Sequence, residues 1–133
     1  MAIFFSEQYN PDDLVTLEAG GDMSAQQFRF VELASDGQLQ VTDSTTDDPS
    51  GVIQNDPDAA GEPAEYLPIN SGGMTKVVVD TTGGSISIGS KLGPDAAGRA
   101  TLVASGSYYA LALEAATTQG EIIIATLVGE TAV

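Results

Sequence analysis

Any chemistry in this chain has to come from a short list of side chains. There is no histidine and no cysteine, which removes the commonest general base, the commonest zinc ligand and the thiol nucleophile together. Carboxylates, lysine, hydroxyls and tyrosine remain. Two acid-rich loops gather oxygen donors: Asp43, Asp47 and Asp48 in one, Asn55, Asp56, Asp58 and Glu62 in the next. Such sets suit calcium, yet neither follows the twelve-residue EF-hand order with its central glycine and terminal Glu. Hydrolysis of a sugar needs two carboxyl groups facing across a cleft, usually with aromatic stacking surfaces. The chain has no tryptophan, and most of its acids fall in turns. No glycine-rich phosphate cradle precedes a helix, because Gly72-Gly73 and Gly83-Gly84 both lie between strand-like runs. The expectation is a non-enzyme without catalytic residues, cofactor or bound metal.

Charge narrows the partners. The chain carries 19 acidic and 4 basic side chains, a net charge of −15. Residues 1–66 hold 14 acids against Arg29, and residues 67–133 hold five against three, so the halves carry −13 and −2. A phosphate backbone is bound by clustered Lys and Arg, and four dispersed cations cannot form that patch, so no direct nucleic-acid contact is expected. No run approaches the ~20 apolar residues of a membrane helix. Residues 1–7 lack the basic and apolar regions of a signal peptide. The acidity itself reads as a solvated outer face.

The elements that must position these residues are strands. Lys76–Asp80, Ser85–Gly89, Arg99–Ala104, Tyr108–Glu114 and Glu121–Val128 are short apolar runs, separated by Gly, Pro and Thr-rich turns. Without a helix-length segment between them they predict an antiparallel all-β sandwich or barrel. Upstream, Ser24 is expected to cap a single turn. Gln27–Leu33 reads as a strand covered on both faces, and Ala34-Ser-Asp-Gly37 as the turn of a hairpin returning through Gln38–Thr42. Asp43–Ser50 is a polar loop without apolar anchors, expected to move. Gly51–Gln54 and Ala64–Ile69 are further strands, the second confined to an edge or an end by Pro68.

Two internal similarities stand out. Pro57-Asp-Ala-Ala-Gly61 recurs literally as Pro94-Asp-Ala-Ala-Gly98, which reads as turn chemistry in an alanine-rich chain. A fainter match, offset by 59, sets Gly51-Val-Ile-Gln54, Gly61-Glu62 and Leu67-Pro-Ile69 against Ala110-Leu-Ala-Leu113, Gly120-Glu121 and Thr126-Leu-Val128. It suggests a duplicated hairpin.

Residues 1–21 have no sustained period. Ile3, Phe4, Phe5 and Tyr9 form an apolar tip on an acidic lead ending in Gly20-Gly21. This segment reads either as an extended N-terminal arm that docks in a neighbour's groove or as a first strand on the domain's own core. We take 1–21 as the arm and 22–133 as the β domain. Arg29 is either an ion-pair partner at an interface or an internal partner of a nearby carboxylate.

The ordered succession Ser24-Ala-Gln-Gln-Phe-Arg-Phe-Val-Glu-Leu33, Gly51-Val-Ile-Gln-Asn55, Ala60-Gly-Glu-Pro-Ala-Glu65, Lys76-Val-Val-Val79, Gly89-Ser-Lys-Leu92, Asp95-Ala-Ala-Gly-Arg-Ala100 and Ala110-Leu-Ala-Leu-Glu-Ala-Ala116 resembles the small capsid decoration, or cement, proteins of tailed bacteriophages. The resemblance covers about residues 22 to 129. It implies a compact β-barrel or β-tulip-like domain, a homotrimer, and a place on the outer surface of the phage head after synthesis in the host cytoplasm. The implied partner is the major capsid protein, whose lattice such proteins brace, with the arm (Ile3, Phe4, Phe5, Tyr9) helping to grip the shell. The alternative is a head-fibre or adhesion module that binds a host surface or glycan through the loops 43–50 and 55–61.

Overall fold

A computed structural model of the protein describes residues 14–132. These residues form ten strands: β1 Val15–Glu18, β2 Phe30–Leu33, β3 Leu39–Val41, β4 Gly51–Ile53, β5 Pro63–Pro68, β6 Met74–Val78, β7 Lys91–Pro94, β8 Ala100–Leu102, β9 Ser107–Ala112 and β10 Ile122–Ala132. One 3-10 turn, Ile69–Ser71, joins β5 to β6. The all-β expectation holds. The strands make two antiparallel five-stranded sheets, ordered β1-β5-β4-β2-β3 and β6-β10-β9-β7-β8. No helix among the described residues is long and apolar enough to cross a membrane.

The two sheet orders are the same order shifted by five strands. The agreement extends to single residue pairs. In the first sheet Gly51 pairs with Pro68 and Ile53 with Tyr66; in the second Ala110 pairs with Leu127 and Ala112 with Ala125, every partner 59 residues on. The β1–β5 and β6–β10 registers correspond with β6 shifted by 60. Likewise β2–β3 and β7–β8 correspond with both strands shifted by 61. Turn and loop bonds repeat as well. Gly61 N–H donates to Ala19 O, as Gly120 N–H does to Val79 O, and Phe28 N–H donates to Ile53 O, as Gly89 N–H does to Ala112 O. Phe28, at φ 67°, is the one non-glycine residue with positive φ among those described, and its counterpart is Gly89 at φ 88°. The suspected duplicated hairpin is therefore part of a duplicated five-stranded unit, residues 15–68 and 74–132.

Each unit curls around its own apolar face. Alternation along the strands puts Leu17, Val31, Leu39, Ile53, Ala64 and Tyr66 on one face of the first sheet. The corresponding Val77, Leu92, Ala100, Ala112, Ile123 and Ala125 form the interior of the second. A single parallel bridge, Ala19 to Leu39 in one unit and Val79 to Ala100 in the other, joins the end of the outer strand to the opposite edge. One bridge is not a ladder, so the sheets remain open. Phe30, Val52 and Leu67 on the other face of the first sheet, with Ile69 of the 3-10 turn, pack against the second unit, which gives the chain a common core. Coverage of β2 on both faces follows, with Phe30 and Val31 both fully buried.

Several expectations are corrected. Val15–Glu18 pairs with β5, so the folded body begins well before residue 22. Apolar alternation in Leu14, Val15 and Leu17 matches a half-buried outer strand. Ile3, Phe4, Phe5 and Tyr9 lie outside the described residues. Ser85–Gly89 is not a strand: only Ile86 bridges to Ala116, while Ile88 is 73% exposed. Near Ser24, the Asp22 carboxylate accepts the Ser24 N–H and hydroxyl, so Asp22 is the capping acceptor. Pro68 ends β5, where no further ladder bond is asked of it.

Candidate functional site

The loop between β3 and β4 carries the first candidate set. Asp47 Oδ2 accepts the N–H groups of Asp43 and Ser44 at 2.9 and 3.0 Å, folding the loop back on itself. Asp43 and Asp47 come together with Glu32, one oxygen from each lying within 4.8 Å of the others. Glu32 enters because it faces outward on β2, opposite Gln40, whose amide it accepts at 2.9 Å. Burial first, then the neighbouring carboxylates, push the Glu32 carboxyl above its ordinary range. Asp43 is raised by its contact with Asp47 and by that group's charge, whereas the backbone N–H of Asp43 holds Asp47 below its ordinary range. Glu32 and Asp47 are half-buried and Asp43 is exposed, and the cluster's own bonds account for its shape.

Asp48 does not join it. Its Oδ1 accepts the Tyr109 hydroxyl at 2.7 Å across the boundary between the units, and Pro49 beside it is buried. The loop expected to lack anchors is thus fastened at two points. Burial first and the Asp48 carboxylate second raise the Tyr109 phenol above its usual range. Tyr109→Phe removes a bond to an ionised acceptor and is expected to cost about 1.5–2 kcal/mol. Chemical denaturation monitored by circular dichroism measures it, and an unchanged midpoint would mean that the bond adds nothing to stability.

The second candidate set is spent on turn structure. Asn55 bonds the backbone of Pro63 and Glu65 through both ends of its amide, and Glu62 accepts the Asp58 N–H. Asp56 and Asp58 are exposed and do not converge with a third acid.

The remaining buried acids serve a cation. Arg99 Nε lies 3.0 Å from Asp95 Oδ2, and its Nη2 lies 3.7 Å from Asp80 Oδ2. Asp80 is held well below the ordinary carboxyl range, chiefly by its contact with Asp95 and, after burial opposes the shift, by bonds from Thr82. This clasp fastens the turn between β7 and β8. The one sequence signal for Asp95 among the turn acids is the arginine four residues on, Arg99.

Arg29 makes no ion pair among the described residues. Its Nη1 donates to Ala97 O at 3.0 Å, so it binds a carbonyl at the interface between the two units of its own chain. That interface is continued by Phe30 N–H to Gly98 O and by Thr42 Oγ1 to Asp95 O. Gln54 Nε2 adds a bond to Thr75 Oγ1, and Lys76 lies over the Phe28 ring at 5.7 Å.

The surface offers apolar handles on an acidic body. Leu33, Met74, Ile88, Leu113 and Ile122 are all exposed. An open groove of about 450 Å³ lies between the loop 45–48 and the segment 101–107. No protein-family model matches the chain, and no curated protein matches it in sequence.

Proposed function

We propose that the protein is a non-enzymatic assembly module, a decoration protein that sits as a trimer on the outer surface of a phage head and stabilises the lattice of the major capsid protein. The observation that carries this reading is the combination of exposed large apolar side chains with a strongly acidic body whose turn acids hold their own loops. Such a surface suits docking, where many copies on one lattice give avidity without a large contact per subunit. Strong negative charge keeps unassembled chains apart and directs contacts to apolar seams. In this reading each curled sheet, joined edge to edge by one bridge, approximates the barrel or tulip form of the resembled family.

The test is capsid occupancy. Deletion of residues 1–10, which include Ile3, Phe4, Phe5 and Tyr9, is expected to leave the circular dichroism spectrum unchanged and to abolish co-sedimentation with capsids. Full occupancy by the truncated chain would reject the arm's role, and failure of the intact chain to bind capsids would reject the reading. The groove beside the loop 45–48, lined by Thr45, Thr46, Ser105 and Ser107, favours a second reading, an adhesion module. That reading requires saturable binding to cells or glycans.

A further inference from the structure

The contact between the two units is head to tail. The β7–β8 turn of the second unit, Asp95–Gly98, docks on Arg29, Phe30, Val41 and Thr42 of the first. Shifted by 61, the same two surfaces exist a second time. The β2–β3 turn Ala34–Gly37 has the same internal bonds, Gly37 N–H to Ala34 O and Ala34 N–H to Gln38 O, as Gly98 N–H to Asp95 O and Asp95 N–H to Arg99 O. Its environment is the opposite. Gly98 is buried against its dock, whereas Gly37 is exposed and a Cβ there would meet nothing within 4 Å. The counterpart of the dock is Ser90, Lys91, Leu102 and Val103, and all four line an open groove of about 430 Å³.

The geometry points to self-association in solution, with the Ala34–Gly37 turn of one chain seated in the Ser90–Lys91–Leu102–Val103 groove of a second copy. The occupant follows from the interface already present within the chain. A turn of the same backbone geometry fits a groove built from the same sheet positions. The side chains at the two free surfaces agree with this. Leu33 flanks the free turn at 55% exposure, and Ile88 flanks the free groove at 73%. Asp36 stands on the turn and Lys91 in the groove, so an acid meets one of four cations on a −15 chain. At the internal contact the matching positions are the uncharged Ala97 and Phe30. Heterologous contacts close into a ring when the rotation between copies permits. In a closed trimer, six units would follow one another around the ring. The inference does not rest on capsid binding.

A cysteine-free chain permits a direct test. The Cβ of Arg29 lies 3.2 Å from the position of a Cβ on Gly98, close to the ~3.5–4.5 Å Cβ separation of a disulfide. Gly37→Cys chains mixed with Ser90→Cys chains under oxidation are therefore expected to yield a covalent dimer, which neither variant forms alone. Asp36→Cys replaces Gly37→Cys if the latter fails to fold by circular dichroism. Absence of the mixed dimer across a dilution series, or dimers formed equally well by either variant alone, would overturn the inference. The capsid assay reports separately, so the two readings can fail independently.

Discussion

Gly98→Ala is expected to destabilise the protein by about 3 kcal/mol or more, and Gly37→Ala by only about 1 kcal/mol, although the two glycines occupy the same place in the duplicated unit. Both have positive φ, 76° and 86°, a region where a Cβ costs roughly 1–2 kcal/mol. They differ in what surrounds them. A Cβ on Gly98 would lie 2.8 Å from the Phe30 carbonyl oxygen and closer still to Val41 Cγ1. The carbonyl belongs to β2 and cannot turn away without disturbing the strand, so an overpacking cost of about 1–3 kcal/mol adds to the backbone strain. The substitution also separates Gly98 O from Phe30 N–H and shifts Ala97 O from Arg29. Urea denaturation of the two variants measures the difference. Equal costs would show that the docked turn is not a principal contact between the units.

The same pair of turns shows what the sequence could and could not convey. The Asp-Gly signal locates the β2–β3 hairpin because turn chemistry is local. The duplication was legible only where the shift stayed constant, across β4–β5 and β9–β10. It disappears elsewhere because β6 is displaced by 60, and β7 and β8 by 61, with almost no identities to carry the eye across the change. Burial patterns survive such drift and residue identities do not: Leu17 and Val77, or Ile53 and Ala112, are equivalent only in the direction their side chains face. The literal repeat Pro-Asp-Ala-Ala-Gly is misleading for the same reason. Gly61 corresponds to Gly120, and Gly98 to Gly37, so the two copies stand at unrelated points of the unit.

Candidate sites were legible as composition but not as geometry. Three acids in one loop could be counted, yet whether they converge depends on where β2 presents Glu32 and on Tyr109 drawing Asp48 away, 61 positions distant. Arg29 stands out in the sequence as a rare cation, and its partner is a carbonyl. Carbonyl partners leave no mark in residue type. Ser85–Gly89 failed as a strand because alternation of Ile86 and Ile88 satisfies a period of two whether or not a neighbouring strand exists. Only Ile86 finds a partner, and that is the isolated bridge to Ala116.

Arg99→Leu is the second large effect expected, about 3 kcal/mol at neutral pH, and it carries a sign that distinguishes it from ordinary loss of packing. The guanidinium, with 28% of its side chain exposed, joins two carboxylates that are 11% and 8% exposed. Removing one partner from such a group leaves buried charge uncompensated, and the cost for a deeply buried pair is roughly 3–5 kcal/mol; partial exposure of the arginine places this one at the low end. Thr82 N–H still holds Asp80, and the Ala97 and Arg99 backbone N–H groups still hold Asp95, so the turn keeps its shape while its charges repel. In the wild type the Asp80 carboxyl is depressed, so its contribution is fully present above the unfolded value of 3.8 and is lost as pH falls through the folded value. Acid therefore weakens the wild type through this site. In Arg99→Leu, acid that neutralises the two carboxyls relieves the uncompensated charge instead, and the gap between the two proteins should narrow as pH is lowered from 7 to below 3.8. Denaturation midpoints at a series of pH values would test this, and a constant gap would assign the role of Arg99 to packing of its aliphatic stem rather than to its charge.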